Sequence, residues 1–153
     1  MSRWDHLFEL KPKPLAVHVV EEVARLIAQD LSQWPPPVVE WSTEADRRKY
    51  SALFSANAVR PGPETLREAF KLARWEMQRD VQAIDDYMTE ERWRTAGVSD
   101  DDFLALLFLH QWLVEQMLAL SEATEGRVRR PQLESCLVLA ERSLAEGERQ
   151  RHQ

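Results

Sequence analysis

Cysteine is almost missing from this 153-residue chain, with Cys136 the only one. No internal disulfide can form, and multi-cysteine zinc or iron–sulfur sites are excluded. Glycine is scarce too, at four residues. No glycine-rich phosphate loop, HExxH pair or nucleophile elbow occurs, and the Glu-x-x-His pairs of di-iron bundles are absent. Strand-type β-branched runs are nearly lacking, which together with abundant Ala, Leu, Glu and Arg favours helix. The longest apolar stretch is interrupted too soon to cross a bilayer. The opening residues, MSRWDHLFELKPKP, contain no apolar run followed by a small-residue cleavage site. No signal peptide is expected, and cytoplasm is the default compartment. Excess positive charge is also missing: 26 acidic residues stand against 20 basic ones, for a formal charge of −6. Nucleic acid, which is held by clustered lysine and arginine, is therefore not an expected partner.

What is present is one strongly apolar stretch, Phe103 to Leu120, FLALLFLHQWLVEQMLAL. A helix apolar nearly all round belongs inside a protein. The expected fold is all-α: an irregular bundle of four to five helices around a central hydrophobic helix at about 100–122. Residues 1–13 read as an N-terminal arm and 14–150 as a single helical-bundle domain. Ser99 is the expected cap of the central helix, with Asp100, Asp101 and Asp102 against its positive end.

The other helices follow from periodicity. Val19, Val23, Leu26, Ile27, Leu31 and Trp34 trace one face of a helix from Leu15, which Pro35-Pro36-Pro37 stops. Thr43 and Asp46 have the spacing of a capping box for a second helix, with Tyr50, Leu53 and Phe54 inward. A long pattern runs from Glu64 to about Ala96, closed by Gly97 and kinked near Thr89. Its buried stripe is Leu66, Phe70, Ala73, Met77, Val81, Ile84 and Met88. The last helix starts at Pro131 and buries Leu133, Cys136, Leu137, Ala140 and Leu144. Its charged tail from Glu146 is expected to fray.

Candidate chemistry is sparse. His18 and Glu22 are four apart on a helix, which suits two metal ligands, but no matching pair lies elsewhere, so a solvated face is the reading. His110 reads as a core hydrogen-bonder without a partner to promote it. Cys136 on an inner stripe reads as a small hydrophobe. No catalytic residue, cofactor or metal site is expected.

Six tryptophans remain to be explained. Trp and Arg concentrate binding energy at interfaces. Trp4 and Phe8 in the arm, and Trp75 and Trp93 off the main stripe of the long helix, are the candidate partner-binding residues. Arg127, Arg129 and Arg130 beside a helix N-terminus are the candidate anion-binding residues, with pairing to Glu122, Glu125 or the acidic surface elsewhere as the plainer reading. These features point to a non-enzymatic protein-interaction module, an adaptor or regulator that forms a homodimer and binds a protein partner. Two alternatives stand beside it. One is a small-molecule or anion-binding bundle using the arginine loop or a cavity beside His110 and Trp112. The other is an acidic immunity or antitoxin-type protein whose charge complements a basic enzyme.

Overall fold

The computed structural model describes residues 15–33, 36, 44, 45, 48, 62–87, 89 and 99–151. These form an all-helical bundle of α1 (Leu15–Ser32), α2 (Pro63–Gln78), α3 (Val81–Tyr87), α4 (Asp100–Ala123) and α5 (Arg130–Arg151). α5 packs along α1 and also against α2, and α2 in turn meets α4 and the short α3. Among the described residues no helix is long and apolar enough to cross a membrane.

α1 buries Val19, Val23, Ala24, Ile27 and Leu31, the stripe that helical periodicity requires. Its polar side carries an ion pair between Glu22 and Arg25, with a second bond from Arg25 Nε to Glu22 Oε2 at 3.2 Å. α5 contributes Leu133, Cys136, Leu137, Ala140 and Leu144 from its inner stripe. It continues as helix through Arg151 rather than fraying after Glu146. Apart from Gly147 its last residues are Glu, Arg and Gln with no proline or β-branched residue, and those three residue types hold helical geometry well. α4 supplies more buried side chains than any other described helix, from Ala105 to Leu120 and including Trp112. At 100° per residue these positions cover about 200° of its circumference, so α4 is buried on more than one side. Ser99 caps it as expected, accepting from the Asp102 N–H at 3.1 Å.

The long helix expected from Glu64 to Ala96 is broken ten residues before Thr89. Arg79 adopts the left-handed conformation, with φ +58°. Its N–H donates to the Glu76 carbonyl at 3.2 Å, and the Asp80 N–H donates to that of Trp75 at 3.0 Å. That is a Schellman closure with arginine where glycine is usual. Asp80 then caps α3, its Oδ1 accepting from the Ala83 N–H at 3.1 Å. The changed direction removes Val81 from the expected buried stripe: it is 62% exposed, and Ile84 is half-buried. α3 is secured to α2 by Tyr87, whose ring meets that of Trp75 edge-on at 5.8 Å. Lys71 Nζ sits 5.0 Å from the Trp75 centroid and 5.6 Å from that of Tyr87. Met88, Gly97 and the expected cap Thr43–Asp46 lie outside the described residues or rest on residues that do. Of the second expected helix, Arg48 stands 3.7 Å from Glu44 in an exposed pair.

Candidate functional site

The turn between α4 and α5 is built by Thr124. Its buried hydroxyl donates to the Leu120 carbonyl at 2.9 Å and accepts from the Val128 N–H at 3.4 Å. Glu125 and Gly126 both take positive φ, +53° and +76°. The Gly126 N–H closes back to the Ser121 carbonyl at 2.9 Å, a second Schellman-type end. The chain is thereby turned sharply, and Val128 is driven into the core with only 2% of its surface exposed. Arg129 precedes the first turn of α5. Its N–H donates to Gln132 Oε1 at 2.7 Å, which is half of a capping box.

This turn decides what the three arginines do. Arg127 Nε donates to the Thr124 carbonyl at 3.1 Å and so braces its own loop. Arg130 NH1 reaches across to the last turn of α2, donating to the carbonyls of Glu76 and Met77 at 3.3 Å each. A cation there sits at the negative end of the helix and shares the Glu76 carbonyl with the Arg79 N–H. Arg130 thus bonds backbone oxygens of α2 rather than Glu122 or Glu125. Gln78 Nε2 donates to Glu134 Oε1 at 2.6 Å, a further tie between α2 and α5. The Arg129 side chain is exposed, and no described residue bonds it.

Where α2 ends, α4 ends and α5 begins, the three helices leave a groove of about 320 Å³. Met77, Leu118, Val128 and Leu133 give it an apolar lining. Ser121, Gly126, Arg129 and Arg130 complete it, so among the described residues no acidic side chain contributes to its walls. Leu118 is 51% exposed on a helix that otherwise hides most of its leucines. A second groove of about 290 Å³ lies at the opposite end of α2, where Phe70 and Leu144 meet Glu64, Arg67 and Glu141. Neither is lined by His110 or Trp112, and Trp112 is packed in the core with 1% exposure.

His110 does have a cross-helix neighbour. Its Nε2 lies 3.6 Å from Glu76 Oε1, joining α4 to α2. That separation is a charge contact and too long for a hydrogen bond. Burial pushes the imidazole below its ordinary value of 6.5, against the opposing pull of Glu76. Glu68 does pair locally, 3.6 Å from Lys71. Cys136 is fully buried and its thiol is pushed up to about 12 by burial, the state of an unreactive core residue.

Of the candidate partner-binding aromatics, Trp75 is half-buried against the core and held by Lys71 and Tyr87. Trp4, Phe8 and Trp93 lie outside the described residues. The structure brings Arg129 and Arg130 together at one groove and leaves Trp75 outside its walls. Met77, expected in the buried stripe, forms the floor of that groove, whereas Leu118 was not singled out by sequence. Nothing in an all-apolar helix marks which leucine will face water. Among the described residues, no three His, Cys, Asp or Glu side chains converge to hold a metal ion. Comparison of the chain with models of protein families, with curated proteins and with solved structures finds no match.

Proposed function

We propose that this protein is a non-enzymatic interaction module that holds a protein partner through the groove between the ends of α2 and α4 and the start of α5. The observation that carries this reading is Leu118, half in water amid apolar neighbours and flanked by an arginine that no described residue bonds. Exposed apolar surface next to arginine has the character of an interface centre. The bonds around the groove support the reading: Thr124 shapes the α4–α5 turn, while Arg130 and the Gln78–Glu134 bond tie α5 to α2. Preorganised walls lower the entropic cost of association.

Affinity purification from the native host, with the wild-type chain and Leu118→Gln as parallel baits, tests this. A protein recovered in stoichiometric amount with the first and lost with the second is the expected result. A strict monomer in light scattering at micromolar concentration, with no protein retained through Leu118, would refute it. A second reading, binding of a small anionic ligand, is favoured by the groove's volume of about 320 Å³, at the low end of small-molecule pockets. A thermal shift with phosphate-containing metabolites that vanishes in Arg129→Ala would support that reading instead.

A further inference from the structure

We infer that the partner element is an amphipathic helix carrying acidic residues beside its apolar face. This rests on the groove being an interaction site and adds the chemistry of what it takes. The chain as a whole is acidic, with a formal charge of −6, yet the described residues that wall this groove are all neutral or cationic. The groove at the far end of α2 shows the contrast, since Glu64 and Glu141 both line it. Charge complementarity therefore favours an acidic occupant here and disfavours a basic one.

The apolar part of the recognition is short. About 320 Å³ with Met77, Leu118 and Leu133 around it accommodates a few side chains and not a long insertion. A helix offers such anchors three or four residues apart on one face. Leu118 keeps 51% of its surface in water, so the groove is open along one side. A single acyl chain lying in it would keep one flank wet. A helix, about 10 Å across with its side chains, covers the apolar lining and reaches Arg129 in the same pose. Met77 adds an unbranched, polarisable surface that adapts to differently shaped anchors. Arg130 already bonds the end of α2, so Arg129 is the cation left for the partner's carboxylate.

The test is selection of a displayed library of 16-residue amphipathic helices against the full chain. The apolar face is fixed at three- and four-residue spacing, and the flanking positions are randomised among Asp, Glu, Lys, Arg, Gln and Ser. The expected result is enrichment of acidic flanks. The best peptide, measured by fluorescence anisotropy in low salt, should bind Arg129→Glu roughly five- to tenfold more weakly, an effect that rising salt erodes. Replacing that peptide's acids with lysine should restore its affinity for Arg129→Glu. Peptides that need Leu118 but show no acidic preference, or bind Arg129→Glu unchanged, overturn the charge inference and leave the groove standing as a docking site. Absence of any peptide whose binding Leu118→Gln abolishes overturns both. A micromolar dimer that Leu118→Gln dissociates makes a second copy the occupant and also overturns the inference.

Discussion

Removing the Arg130 side chain separates an arginine that builds the groove from one that faces a partner. Arg130→Ala deletes two bonds to the carbonyls of Glu76 and Met77, each 3.3 Å long. At that length and on an exposed side chain each contributes about 0.5 kcal/mol or slightly more. The loss of a cation at the end of α2 adds roughly 0.3–1 kcal/mol. The sum is a destabilisation of about 1–2 kcal/mol, which for a chain of this size lowers Tm by about 3–6 °C. Arg129→Ala removes an exposed side chain that no described residue bonds, and its effect should stay within about 0.5 kcal/mol. Urea unfolding followed by tryptophan fluorescence, with scanning calorimetry for Tm, reads both variants. Arg130→Lys should fall between them, because it keeps the charge but loses the fork that spans two carbonyls. Equal stability of Arg130→Ala and Arg129→Ala would refute the structural role of Arg130, and with it the assignment of Arg129 as the groove's available cation.

Arg79→Gly should stabilise the protein by about 1 kcal/mol, because Arg79 sits at φ +58° where only glycine rests without a Cβ penalty. A lowered midpoint in urea would show that the arginine side chain matters to the α2–α3 turn. Stability should fall as pH drops below the ordinary histidine value of 6.5. Burial lowers the folded-state pKa of His110, so the unfolded chain binds the proton more readily and acid favours unfolding. The contribution is complete above 6.5 and is lost as pH falls through the depressed folded value. His110→Gln should flatten that part of the pH–stability curve relative to wild type, and an unchanged slope would exclude His110 as its source. Cys136, pushed up to about 12, should react with a thiol reagent at pH 8 only as fast as the protein opens. A burst of labelling in the native state would contradict its burial.

The parts legible in the sequence are those governed by one periodic face or one local cap. Val19, Val23, Ile27 and Leu31 repeat every four residues and are all buried. Ser99 with Asp102 three positions on is a cap in the sequence and in the structure. The parts not legible depend on elements distant in the chain or on backbone partners. The break at Arg79 carries neither glycine nor proline, and its own marker was Asp80, which resembles one more surface charge until its side chain is seen on the Ala83 N–H. Glu76 lies on a different helix from His110, so no spacing rule connects them. The arginine loop was conspicuous, but Arg130 bonds carbonyl oxygens, which every residue possesses. Leu118 was hidden for a different reason. When nearly every position of a helix is apolar, the pattern no longer tells the inner face from the outer one.

Methyl-resolved NMR of the full chain, labelled at leucine, valine and methionine and titrated with the selected acidic peptide, locates the binding surface residue by residue. Shifts concentrated at Leu118, Met77, Val128 and Leu133, and abolished in Leu118→Gln, are the predicted result. Shifts confined to Leu66 and Leu144 at the far end of α2, or spread evenly over the bundle, would contradict it.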